Sequence, residues 1–299
     1  VILRVNGEEK DRVVIRLGSR EEQQVLFNYV FERAGSHLME VFVNAPDNLK
    51  ADNTRWASVP VREQLPVLLV NGEPSRVPLK GETDYLALAL EPFQGGADGA
   101  GNLVKTTIVS TYKFTPSKLA GQDIVVLANV MQLNDAAVKA IKAFVAQGGA
   151  LVVFPGNRIQ ADWYNTQLGE KAGLLPLKYV SLEGQDTGLG TRVAPQRYNH
   201  PALDFFNDGR NGKLSDALIR IWYKTEPIVV PGWPDGKVIA ELEGGLPFLA
   251  ERDYGMGKVI QCVVPCDTDW SNLPLRSFYL PLMQRLMAYL ATNVMPPRN

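Results

Sequence analysis

The pattern of apolar residues changes near residue 64. Before it, the pattern alternates. Arg12-Val13-Val14-Ile15-Arg16-Leu17 is β-branched and stops at Gly18-Ser19, and Val25, Phe27, Tyr29 and Phe31 alternate with Leu26, Asn28 and Val30. Ala34-Gly35-Ser36 turns the chain, and Leu38-Met39-Glu40-Val41-Phe42-Val43 returns it as the second arm of a hairpin. A turn at Ala45-Pro46-Asp47-Asn48 leads to a last strand, Trp56-Ala57-Ser58-Val59-Pro60-Val61. Successive side chains on a strand leave opposite faces, so a period of two marks a half-buried strand. Short strands with no helical period predict a partial immunoglobulin-like β-sandwich over residues 1–63. About five strands fall short of the roughly seven of a complete one.

From Leu65 the apolar runs become continuous. Pro66 to Gly72 and Asp123 to Asn129 read as strands with both faces buried, as in a parallel sheet, and Leu103 to Val109 and Ala150 to Phe154 read as two more strands. Helical spacing separates them. Thr83 opens a helix with Tyr85, Leu86, Ala89 and Leu90 on one stripe. Asn134 opens another with Ala137, Val138, Ile141, Phe144 and Val145 on its face, ended by Gly148-Gly149. Residues 174–230 are irregular and predict an excursion or cap. Lys237 to Leu242 is a further strand, and Pro247 to Arg252 and Lys258 to Val264 form a hairpin around Gly255-Met256-Gly257. A last helix from Ser277 to Thr292 turns Leu282, Leu286, Tyr289 and Leu290 inward before Pro296-Pro297. This order predicts an α/β domain over residues 64–299: a flavodoxin-like three-layer sandwich with helices on both faces of one mainly parallel sheet.

Composition narrows the function classes. Lys+Arg 31 against Asp+Glu 32 gives a net charge of -1, which offers no general attraction to nucleic acid or to an anionic membrane. No run of about 18 apolar residues is present to span a bilayer. The chain opens on Val1-Ile2-Leu3-Arg4-Val5 with no charged n-region, so it is expected to lack a signal peptide and to be a piece of something longer. The cysteines, Cys262 and Cys266, lie about 13 Å apart in an extended segment, which predicts two buried free thiols rather than a disulfide.

Two strings carry a family likeness. One is Asp52-Asn53-Thr54-Arg55 with Val59-Pro60-Val61-Arg62-Glu63 and Leu65-Pro66-Val67-Leu68-Leu69-Val70-Asn71-Gly72-Glu73-Pro74-Ser75. The other is Tyr254-Gly255-Met256-Gly257-Lys258-Val259 leading into Asp267-Thr268-Asp269-Trp270-Ser271-Asn272-Leu273-Pro274-Leu275. Together they resemble the C-terminal half of large bacterial membrane-anchored proteins. Those proteins carry a BatA-type double-transmembrane segment, a von Willebrand factor A domain, a CARDB/Ig-like module and a class I glutamine-amidotransferase-like module. The resemblance covers nearly the whole chain. It implies a place in the cell envelope, transmembrane and von Willebrand parts before residue 1, and a further membrane helix after residue 299. The partners it implies are proteins or other domains of the same chain.

Class I amidotransferase chemistry needs a Cys on a sharp strand-to-helix turn, a His to take its proton and a carboxylate to orient the His. The turn after the fourth strand reads Phe154-Pro155-Gly156-Asn157-Arg158, with no nucleophile. Cys266 stands beside Asp267 and Asp269, whose charge would blunt a thiolate. His37 belongs to the β module, where it is expected on the surface or in packing. His200, in Tyr198-Asn199-His200-Pro201, resembles the His-Pro step of ThuA-like relatives. Asp267 and Asp269 could meet Glu251 or Asp253, but two carboxylates are a thin start for a hard cation, and neither a metal nor a cofactor is expected. Gly148-Gly149 and Gly255-Met256-Gly257 are misplaced for a phosphate loop. What remains is the carboxyl edge of the sheet, where Asn71, Glu73, Asn129, Asn157 and Arg158 gather, with His200 as a sixth candidate. The expectation is a non-catalytic binding or scaffolding module. The rival is a hydrolase or transferase that uses His200 with a carboxylate, and a third reading is a structural spacer.

Overall fold

The computed structural model describes residues 1–45, 52–61, 63–93 and 101–292. The turn expected at Ala45-Pro46-Asp47-Asn48 and the stop at Pro296-Pro297 lie outside these residues, apart from Ala45. Internal contacts divide the chain into two units, Val1–Glu63 and Gln64–Asn299.

The first unit is one antiparallel sheet built from β1 (Ile2–Val5), β2 (Glu8–Arg12), β3 (Gly35–Phe42) and β4 (Thr54–Val61), in the order β2-β1-β3-β4. Asn6 and Gly7, with φ of 52° and 83°, make the primed two-residue turn that joins β1 to β2. That Asn-Gly step is the strongest hairpin signal of the unit, and sequence reading overlooked it. Two expectations fail here. Arg12 ends β2 and Val13 exchanges backbone bonds with Val1, but residues 14–34 form no strand, so neither Val14–Leu17 nor Val25–Phe31 is a ladder member, and β3 pairs instead with β1 and β4. The alternation at Val25, Phe27, Tyr29 and Phe31 still sets which side chains are half-buried, while Leu26 and Val30 are exposed. A period of two fixes facing, not hydrogen bonding.

In the second unit a seven-stranded sheet runs β13-β14-β15-β8-β7-β5-β6. Its members are β5 (Leu65–Asn71), β6 (Val104–Ser110), β7 (Ile124–Ala128), β8 (Ala150–Phe154), β13 (Lys237–Leu242), β14 (Leu246–Tyr254) and β15 (Gly257–Cys262). Strands β6, β5, β7, β8 and β15 are mutually parallel, and β14 and β13 add antiparallel edges. The continuous apolar runs feed two cores. Val67, Leu69, Val126 and Val152 face α1 (Asp84–Leu90) and α4 (Tyr279–Ala291). Leu68, Val70, Val125 and Val153 face α2 (Asp135–Ala146). Asn134 caps α2 by accepting the Ala137 amide at 2.9 Å. Thr83 precedes α1 but makes no cap bond; its hydroxyl accepts from Asn71 instead. After β8, α3 (Ala161–Trp163) runs into a π turn, Tyr164–Lys171. The excursion holds two antiparallel pairs, β9 (Leu177–Gly184) with β12 (Ile221–Pro227) and β10 (Thr191–Arg192) with β11 (Leu218–Ile219). The result is a mixed α/β unit with a parallel-rich central sheet.

Candidate functional site

Because β6 lies on one side of β5 and β7 on the other, connections leave the β5–β7 pair in opposite directions. At such a switch point open α/β sheets place their ligand crevice, outside the carboxyl ends of the strands. Asn71 ends β5, and its Nδ2 donates to Thr83 Oγ1 at 3.0 Å while its Oδ1 accepts the Glu73 amide at 3.0 Å. It braces the loop.

Asn129 follows β7 with a φ of 51°, the left-handed region a side chain rarely enters. Asn tolerates that region better than most residues, and the surroundings hold it there. A Cβ on Gly72 would lie 1.8 Å from the Asn129 carbonyl oxygen, and one on Gly156 2.3 Å from the Asn129 side-chain carbon. Its amide is fully engaged: Nδ2 donates to Glu82 Oε2 and to Asn157 Oδ1, both at 2.9 Å, and Oδ1 accepts the Arg158 backbone amide at 2.9 Å. Arg158 Nη1 donates to the Gly72 carbonyl at 3.1 Å. The left-handed residue among these strand ends is thus Asn129, directly after β7, and its amide is tied on both sides.

Glu82, on the loop before α1, is the residue sequence reasoning missed. It is 3% exposed. Burial, reinforced by Asp267, Asp269 and Glu73, pushes its carboxyl up to about 8. Asp267 follows β15; burial pushes it up to about 6 despite the Asp269 amide it accepts at 3.0 Å. Cys266 is sealed. Its thiol donates to the Glu82 carbonyl at 3.2 Å and burial raises it well above the usual thiol range, while Tyr279 Oη donates to its carbonyl at 2.8 Å. Both cysteines are free and buried. No signal in the sequence marks Glu82. A lone acid before a helix ordinarily reads as surface charge favouring the dipole.

The fold brings Asn71, Glu73, Asn129, Asn157 and Arg158 together and leaves His200 apart. His200 Nε2 lies 3.2 Å from Glu251 Oε2 on β14, and Nδ1 accepts the Ala202 amide at 3.3 Å. Tyr289 Oη of α4 donates to the same Glu251 oxygen at 2.9 Å. Burial would raise Glu251, but the His200 and Tyr289 bonds and the Lys258 charge outweigh it and hold the carboxyl below its ordinary value. The pair opens onto a cavity of about 390 Å³ lined by Arg197, Asn199, Lys237 and Glu241 among others. Both ring nitrogens are thus taken up by contacts within the fold. The metal trio considered for Asp267 and Asp269 does not form. Glu251 serves His200, Asp253 pairs with Lys258, and among the described residues no group of three or more His, Cys, Asp or Glu could hold a metal ion. His37 bonds Asn6 and the Arg33 carbonyl within the first unit.

No family model matches the sequence, and no curated protein matches it. Solved structures do share the fold. The cytoplasmic protein STM1381 from Salmonella typhimurium LT2 is 16% identical with a TM-score of 0.53, over 76% of this chain and 99% of that one. The cytoplasmic protein STM3548 from Salmonella typhimurium is 15% identical with a TM-score of 0.54, over 76% and 98%. The β-galactosidase from Rahnella sp. R3 is 13% identical with a TM-score of 0.50, over 77% of this chain but 31% of that one. At such identities the likeness is one of fold alone.

Proposed function

We propose that this chain is a non-catalytic binding module with an amidotransferase-like fold, preceded by an Ig-like β module, whose recognition site is the crevice at the carboxyl ends of β5, β7 and β8. The observation that carries it is Asn129. The strained turn after β7, where a nucleophile would stand exposed, holds a side-chain amide bonded through both its atoms and wedged between Gly72 and Gly156. Glu73, Asn157 and Arg158 line the mouth with polar groups suited to a small ligand or a partner loop. Support for an envelope setting, as the extramembrane part of a membrane-anchored bacterial protein with protein partners, comes from the sequence strings described above. Among the described residues no helix is long and apolar enough to cross a membrane.

The rival reading draws on His200, whose pairing with buried Glu251 beside a cavity is the arrangement a base requires. Against it stands the engagement of both ring nitrogens in hydrogen bonds within the fold. Mapping amide chemical shifts while a neutral fragment library is titrated decides between them. Shifts gathering on Gly72, Glu73, Arg158 and Asp269 support the crevice. Shifts gathering on 196–200 and 237–241, with ester or amide hydrolysis lost in His200→Gln, overturn it.

A further inference from the structure

The crevice assembles four carboxyl groups without a counter-ion. Glu82 and Asp267 are buried, Glu73 is half-buried and Asp269 is exposed at the mouth. The charged neighbours that act on Glu82 are anions, and among the described residues none of the four forms an ion pair. Two cations stand on these loops: Arg158 spends Nη1 on the Gly72 carbonyl, and Arg220 spends Nη2 on the Thr268 and Asp269 carbonyls and Nε on Asp186. A separate observation asks for a partner. Glu82 Oε2 takes the Asn129 amide, but Oε1 is buried with no hydrogen-bond partner. Orphaned buried oxygens are rare because each forfeits the hydrogen bonds it had in water.

The chemistry selects the class of ligand. A hard metal ion wants several oxygens converging at about 2.0–2.6 Å, and the described residues provide no such group. A guanidinium or ammonium group carries several N–H donors in different directions and suits carboxylates that stand apart. We infer that the crevice takes an organic cation, a guanidinium or primary ammonium group, with Glu82 and Asp267 as its counter-ions. This rests on the reading of the crevice as the recognition site and names what enters it. The cation draws the proton from Glu82, so binding strengthens with pH. The other titratable groups at the pair are Glu73, Asp269, Arg158, Arg220, Cys266 and Tyr279. Cys266 and Tyr279 are raised well above their usual ranges by burial and stay protonated through the window concerned.

Calorimetric titration of the full chain tests this with agmatine, with the peptide Gly-Arg-Gly and with butyrate as an anionic control. The first two distinguish a free amine from an arginyl side chain as the source. The expected result is binding of at least one cation and not of butyrate, with proton release at pH 7 and tighter binding at pH 8 than at pH 6. Affinity should drop at least tenfold in both Glu82→Gln and Asp267→Asn and stay unchanged in His200→Gln. Glu82→Gln keeps the Asn129 contact and removes the buried charge, so it is expected to fold. Failure of both cations to bind at 10 mM, or undiminished affinity in both crevice variants, overturns the inference. If neutral fragments still map to the crevice when neither cation binds, the site stands and only its cationic ligand falls.

Discussion

Glu82 is kept where its charged form is disfavoured, and that makes stability depend on pH. Its carboxyl moves from 4.5 to about 8 on folding, and Asp267 moves from 3.8 to about 6. Between these limits the unfolded chain releases the protons while the folded chain holds them, so stability falls as pH rises. The contribution is fully present below pH 4.5 and gone above about 8. Urea unfolding at pH 5, 7 and 8.5 should show Glu82→Gln gaining on the native chain as pH rises, by on the order of 3–5 kcal/mol at the highest pH. A constant difference across the three would contradict it. Glu251 has the opposite sign, since its lowered carboxyl stabilises the fold above its unfolded value and loses that effect in acid. His200→Ala removes one donor to Glu251 and the acceptor of the Ala202 amide. It should cost roughly 1–3 kcal/mol in chemical denaturation.

At the scale of the element, the segment after β15 shows how much a sequence string can say. Trp270 is 5% exposed, and its ring packs on Tyr223 of β12 at 5.6 Å between centroids. Its carbonyl accepts the Arg220 amide at 2.8 Å, and Asn272 Oδ1 accepts the Leu218 amide at 2.8 Å, so the segment is stitched to the excursion. Trp270→Ala should cost about 3–5 kcal/mol and loosen β12 first, visible as faster amide exchange at Tyr223 and Lys224. Unchanged stability would contradict it. Gly72→Ala would drive a methyl into the Asn129 carbonyl and should cost at least 3 kcal/mol, or abolish folding. Strands β5, β7 and β8 were legible because burial on both faces leaves an unbroken apolar run. Five of the six candidate residues were legible because strand ends in a parallel sheet share one edge. Glu82, the turn at Asn129 and the partner of His200 were not, since each depends on contacts between segments far apart in sequence.

The whole molecule divides unevenly. The second unit builds a core on each face of its sheet, whereas in the first only Ile2, Leu3 and Val5 are fully buried among its described hydrophobic residues. Val14, Leu26, Val30 and Trp56 of that unit remain exposed at 85%, 77%, 84% and 63%. A chain of about 60 residues needs most of its apolar surface buried to offset the entropy of ordering it, at about 25 cal/mol per Å² against 1–2 kcal/mol per residue. Three buried aliphatic side chains fall far short of that. Residues 64–299 expressed alone should therefore keep a cooperative melting transition within a few degrees of that of the full chain. Residues 1–63 alone should give collapsed amide dispersion and be cut by protease within the segment 14–34, which forms no strand to protect its backbone. A fragment 1–63 that melts cooperatively would show that the sheet draws its stability from packing other than its three buried aliphatic side chains. It would also remove the case for an incomplete β-sandwich.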